Sequence, residues 1–193
     1  MTAAVAGTLM TAEEFLALPD DGVERWLIRG QLRENGDTDM TMRNRKHAIT
    51  ESRVVRVLGR WLDARPEPKP EVASGEAGFL LRDGPPTIAA GVDVALITPA
   101  QADAPNPNTT LVVGPPLLIA EVVSPSDSAG DVAERVGEYL ACGVPVVWEL
   151  DPLRKTLIVH RPGADPLALD VRDTLTGDPE LPGFRAAVAD FFR

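Results

Sequence analysis

Leu117-Leu118-Ile119-Ala120-Glu121-Val122-Val123 is the stretch on which the fold turns. It is apolar on both faces around a single acid. A strand of this kind is buried on both sides, inside a sheet that helices cover. An ionised carboxylate left alone there is strongly destabilising. Glu121 is therefore paired, protonated or holding a cation. Gly91-Val92-Asp93-Val94-Ala95-Leu96-Ile97 repeats the pattern around Asp93. Val146-Val147-Trp148-Glu149-Leu150 repeats it more weakly, because Glu149 lies near a strand end.

Two readings of these acids follow. The chain's sixteen arginines supply partners for structural salt bridges. Alternatively, Asp93 and Glu121 on neighbouring strands converge on one divalent cation. Oxygen ligands in a chain with two histidines favour Mg²⁺ or Mn²⁺ over zinc.

The clearest helix covers residues 47–64, where Val54, Leu58, Trp61 and Leu62 share one stripe. Pro66, Pro68 and Pro70 end it. His47 and Glu51, four residues apart, fall inside the stripe. They read as a hydrogen-bonded pair at its edge, or as groups facing the same site as the strand acids. A second helix covers about residues 127–141, with Val132, Val136, Tyr139 and Leu140 inward and Gly143 closing it. Ser126 and Asp127 read as its caps. Asp131, Arg135 and Tyr139 are spaced by four along it, which is ordinarily a solvated face. Yet Arg135 lies at the margin of the inner face, long enough to reach the end of the Glu121 strand.

Thr11-Ala12-Glu13-Glu14 is a capping box opening a short helix over 12–18. Residues 25–33 alternate around Gly30 as a strand or hairpin arm. Further strands are expected at 71–74 with 75–81, at 92–97, 144–150 and 157–160, the last ending in a surface His160. Residues 99–116 read as a lid or flexible segment, and 181–192 as a closing amphipathic segment. This order describes one α/β domain around a mixed sheet, with residues 1–10 as a flexible leader.

At 193 residues, 44% hydrophobic and 25% charged, the composition is that of one globular domain. The single Cys142, read as a small buried hydrophobe, excludes an internal disulfide and an all-cysteine zinc site. No apolar run approaches the ~18 residues of a membrane span, and no signal core follows the start. The chain reads as cytoplasmic. Its net charge of −10, with only three lysines, argues against coating nucleic acid. Residues 43–65 qualify that, with seven basic residues against two acids, so the remainder carries −15. Arg45, Lys46, Arg53, Arg56 and Arg60 fall opposite the apolar stripe, where a local, salt-sensitive contact with nucleic acid fits.

The ordered series of motifs resembles a known family. Glu121-Val122-Val123-Ser124-Pro125-Ser126 precedes Asp131, Arg135 and Tyr139, then Gly143-Val144, Trp148, Asp151-Pro152 and Leu181-Pro182-Gly183-Phe184. Upstream come Thr11-Ala12-Glu13-Glu14-Phe15, Leu27-Ile28-Arg29-Gly30, His47, Gly75-Glu76-Ala77-Gly78-Phe79 and Val92-Asp93-Val94-Ala95. This resembles the Uma-type putative restriction endonucleases of the PD-(D/E)xK nuclease superfamily. The resemblance implies a restriction-endonuclease-like α+β core, a mixed central sheet flanked by helices, and a metal site on the sheet. Asp93 and Glu121 map to its metal-binding acids. The superfamily's usual lysine falls at Val123, and the family's replacement lysine maps to Arg135. His47 and Glu76 match a helical histidine and an acid found in relatives, as possible accessory groups beside Glu51.

The implied activity is Mg²⁺- or Mn²⁺-dependent hydrolysis of DNA by a homodimer. The alternative is a weakened or inactive descendant acting as a binding or assembly module. Arginine keeps its charge and binds phosphate in a fork, but essentially never gives up a proton. Cleavage weaker than in lysine-bearing relatives is the expectation.

Overall fold

Residues 9–19, 23, 25–34, 45–104, 110–125 and 127–193 are described by the structure, a computed structural model. The polar stretch 35–42, Arg43 and the expected cap Ser126 lie outside the described residues, as do 1–8 of the expected leader. In chain order the elements are α1 (Ala12–Leu16), β1 (Arg25–Ile28), β2 (Gln31–Glu34), α2 (Arg45–Asp63), β3 (Glu71–Arg82) and β4 (Ile88–Ile97). There follow α3 (Pro99–Ala102), β5 (Val112–Val113), β6 (Leu118–Val122), α4 (Ala129–Ala141), β7 (Val147–Asp151) and β8 (Thr156–His160). The chain closes with β9 (Leu167–Asp170), β10 (Thr174–Thr176), β11 (Arg185–Ala187) and a 3-10 turn, Val188–Phe191.

The main sheet runs β2-β1-β4-β6-β7-β8-β9, with β3 also on β4 and β5 on β3. The β6–β7 and β3–β5 pairs are parallel and the others antiparallel, so the sheet is mixed. All five residues of β6 are buried, as its apolar pattern requires. Side chains alternate between two cores. Val94, Leu96, Leu118, Ala120, Trp148 and Leu150 meet Val54, Leu58 and Leu62 of α2, with Phe184 and Phe191 from the C-terminal segment. Ala95, Ile97, Ile119 and Val147 meet Val132, Val136 and Tyr139 of α4. The two helices thus cover opposite faces of one sheet.

The middle of β4 is where this regularity breaks. One of its edges is shared, β1 pairing at Ala89 and Ala90 and β6 at Val94 to Leu96. Gly91-Val92-Asp93 lies in the gap. On the other edge, β3 bulges between Ser74 and Ala77, where Gly75 and Glu76 take φ of +80° and +59°. Asp93 therefore stands where pairing loosens on both sides.

Several expectations need correction. α1 ends at Leu16 rather than at residue 18. Residues 25–33 form two strands because Arg29 and Gly30 both adopt positive φ, 51° and 74°, at a tight turn. Residues 71–74 and 75–81 join as one strand, as expected, with a bulge between Ser74 and Ala77. The second long helix starts at Ala129 with Ser128 as its cap, the Ser128 hydroxyl accepting the Asp131 N–H at 3.1 Å. Gly143 closes that helix as expected, the Val144 and Gly143 N–H groups returning to the Tyr139 and Leu140 carbonyls. Cys142 is half-buried at the C-cap. His160 is half-buried and bonded to Glu149 at 2.9 Å, not free on the surface. Within 99–116, Thr98 and Gln101 form a capping box, and Gln101 Nε2 donates to the Pro115 carbonyl at 3.1 Å. Among the described residues, no helix is long and apolar enough to cross a membrane.

Candidate functional site

α2 brings His47 and Glu51 to the loosened part of β4. Both belong to the inward stripe of the helix, and His47 is 3% exposed. His47 Nε2 stands 3.2 Å from Asp93 Oδ2. The Val122 backbone N–H donates to the same oxygen at 2.8 Å. Asp93 is thus held by a side chain from α2 and by the backbone of β6. Glu51 Oε1 accepts the Gly75 N–H at 2.9 Å, which ties it to the bulge of β3. One donor atom each from His47, Glu51 and Asp93 lies within 4.8 Å of the others.

Glu121 comes from the centre of β6 and is approached from α4. The Tyr139 hydroxyl donates to Glu121 Oε1 at 3.2 Å, and Arg135 Nε stands 3.9 Å from Oε2. The second distance is that of an ion pair, not of a hydrogen bond. Burial, then the charge of Asp93, push the Glu121 carboxyl up from 4.5 to about 8. Arg135 and the tyrosine bond act the other way without cancelling them. Burial and Glu121 in turn raise the Tyr139 hydroxyl well above its usual value, so it stays a donor.

Arg135 has partners on three sides. Its terminal nitrogen stands 3.3 Å from Asp127 Oδ1, and its guanidinium carbon lies 5.2 Å from the Trp26 ring centre. Asp127 is anchored in turn, its Oδ2 accepting the Ser124 N–H at 2.7 Å. The arginine reaches the end of the Glu121 strand, as its place at the helix margin suggests. Trp26 carries no mark in a sequence that distinguishes it from a core aromatic. Asp127 does carry one, but the spacing Ser124-x-x-Asp127 reads equally as a helix cap.

Glu76 sits in the β3 bulge itself and faces β4, where a Cβ on Gly91 would come within 2.9 Å of its Oε2. Glycine at position 91 is what admits this approach. Arg45, Lys46, Arg56 and Arg60 are exposed and Arg53 is half-buried along α2. They lie on the flank of the helix away from its buried residues.

The donor set fits a divalent cation. It offers an imidazole and two carboxylates within a small radius, and a further buried carboxylate whose proton affinity Asp93 raises. Such a group of acids is short of positive charge, which a divalent cation supplies.

The family described as "Putative restriction endonuclease", Uma2, matches residues 12–189. A crystal structure of a putative nuclease belonging to DUF820 from Anabaena variabilis superposes with a TM-score of 0.76 at 19% identity, covering 95% of this chain and 97% of that one. At that identity the likeness carries the fold, a mixed sheet flanked by helices. None of the curated proteins matches.

Proposed function

The chain belongs to the Uma2 family of putative restriction endonucleases, and on that premise we propose that it is a divalent-cation-dependent DNA endonuclease. One domain, residues 1–193, carries the site. The observation that bears most on this is the meeting of His47, Glu51 and Asp93 within 4.8 Å, beside a Glu121 whose carboxyl Asp93 helps push up to about 8.

In this reading Asp93 and Glu121 hold Mg²⁺ or Mn²⁺, with His47, Glu51 and Glu76 as accessory groups. His47 fixes the Asp93 carboxylate in the way that a hydrogen-bonded histidine orients a metal-binding acid. A bound divalent cation supplies Lewis-acid charge at the phosphate and lowers the pKa of water. Tyr139 holds Oε1 of Glu121, which leaves Oε2 toward Arg135. The Arg135 guanidinium offsets charge on a scissile phosphate's non-bridging oxygens. It takes no proton from the attacking water, since it remains charged throughout.

Substrate contact falls to α2. Arg45 and Lys46 precede His47 directly, and Arg53, Arg56 and Arg60 continue the basic face for about 20 Å along the axis. That length spans several phosphates of one duplex. Binding is then local and weakens with salt, because the rest of the chain is acidic. A homodimer would place two such sites on one duplex. The working compartment is the cytoplasm.

The test is cleavage of supercoiled plasmid, linear duplex and single-stranded DNA with Mg²⁺, Mn²⁺ or EDTA. Nicking that needs the cation and disappears in Asp93→Asn and Glu121→Gln supports the reading. DNA binding without cleavage under every condition would instead favour a non-catalytic binding module.

A further inference from the structure

We propose that Trp26 and Asp127 form a socket specific for the guanidinium of Arg135, so that in this chain a lysine is not an equivalent cation there. The inference rests on the nuclease reading for its catalytic consequence, but its geometry stands apart from it. The Arg135 side chain is 11% exposed and, among the described residues, meets two carboxylates and an aromatic ring. Asp127 Oδ1 binds a terminal nitrogen at 3.3 Å, the Trp26 ring lies 5.2 Å from the guanidinium carbon, and Glu121 Oε2 lies 3.9 Å from Nε.

These contacts use what distinguishes arginine from lysine. A guanidinium is planar, spreads its charge over three nitrogens and stacks on aromatic faces. An ammonium is a compact point charge on a flexible stem, with no planar face to set against the Trp26 ring and no rigid fork to hold both carboxylates in one geometry. The socket is also tied to the site. Asp127 accepts the Ser124 N–H at 2.7 Å, two residues beyond the end of β6, which carries Glu121. Trp26 belongs to β1, which pairs with β4 at Ala89 and Ala90, just before Asp93. The arginine is therefore located by a strand paired to β4 and by the turn that follows β6, the two strands that bear the acids. Trp26 and Asp127 act through Arg135 and are positioning residues. The arginine at this place is a built feature of the fold.

The experiment combines Arg135→Lys with Trp26→Leu and Asp127→Asn in the full chain. Rates are read as kcat and KM of Mn²⁺-dependent plasmid nicking, and geometry as NMR signals of the Arg135 side chain. Arg135→Lys is expected to lower kcat by about tenfold or more, as displacement of a fixed charge does. In the Trp26→Leu/Asp127→Asn background the same exchange is expected to cost little more, which is coupling rather than mere loss of stability. In the wild type the arginine signals carry a ring-current shift that Trp26→Leu removes. Arg135→Lys with equal or higher kcat overturns the socket and leaves the nuclease reading intact. Absence of the ring-current shift overturns it as well. A ring-current shift with no cleavage by any variant retains the arginine socket but overturns its catalytic consequence together with the nuclease reading.

Discussion

His47 Nε2 and Asp93 Oδ2 lie 3.2 Å apart, both nearly inaccessible, joining the helix on one face of the sheet to the strand at its centre. This contact couples the apolar packing of α2 to the acids. Whatever seats α2 also seats His47, and His47 in turn fixes the acid. Cation binding is therefore expected to stabilise the whole fold. At a hundredfold excess over Kd, linkage gives about 2.7 kcal/mol, or roughly 5–10 °C in Tm for a chain of this size. Thermal melts with Mn²⁺ check this in the wild type. Asp93→Asn should abolish the rise, and His47→Ala should reduce it.

Cation affinity should depend on pH in a defined direction. The Glu121 carboxyl is raised from 4.5 to about 8 in the folded chain. Between those values the unfolded chain has lost the proton that the cation-free native state keeps. Stability of the cation-free protein therefore falls as pH rises through that window, then levels off above about 8. Loading the site releases the proton, so Mn²⁺ affinity rises over the same window and flattens above it. Calorimetric titration in buffers of different ionisation enthalpy reads the released proton. Glu121→Gln should remove this part of the pH dependence.

Tyr139→Phe removes the hydroxyl bonded to Glu121 Oε1 while keeping the ring in the core. The bond holds the Glu121 pKa down, so its loss should push the carboxyl higher and move the threshold for Mn²⁺ binding to higher pH. The stability cost should be about 1 kcal/mol, the ordinary net value of such a bond. Urea denaturation and Mn²⁺ titration together separate the two effects.

Charge reversal on the exposed face of α2 should weaken DNA binding without unfolding the helix. Arg56 and Arg60 project into solvent, away from the buried Val54, Leu58 and Leu62. Arg56→Glu or Arg60→Glu should lower affinity for all sequences alike. Each phosphate that the variant no longer neutralises should make the slope of log K against log salt shallower by about 1. Fluorescence anisotropy with Ca²⁺ in place of the active cation measures this.

The C-terminal segment is part of the core. Trp148 and Phe184 are both buried with ring centres 5.2 Å apart, and Phe191 packs on the same indole at 6.1 Å. Phe184→Ala should cost about 3–5 kcal/mol, the usual effect of truncating a buried aromatic. Chemical denaturation gives the value directly.

Much of this site is legible in the residues. An acid in the middle of a fully apolar strand is costly enough to be noticed, which is how Asp93 and Glu121 stand out. The 3.6-residue period of α2 places His47 and Glu51 inward. What the period does not give is which strand lies beneath them, because that depends on β1 and β6 sharing one edge of β4. Asp127 looks like a helix cap because an acid just before a helix usually is one; Ser128 takes that role instead. Trp26 is silent because an aromatic in a strand is ordinary core. β9 escapes notice for another reason. Leu167 and Ala168 are exposed on an edge strand, with no alternation to reveal them. The capping box Thr98-Pro99-Ala100-Gln101 is readable but short, inside a stretch whose prolines and asparagines suggest only a loop.

The proposed sharing of one divalent cation by Asp93 and Glu121 is open to anomalous diffraction from crystals soaked in Mn²⁺. The expected result is a single strong anomalous peak within coordination distance of both carboxylates, beside His47, and its loss in Asp93→Asn crystals. Full soaking with no peak between the two acids, or a peak that persists in Asp93→Asn, would contradict it.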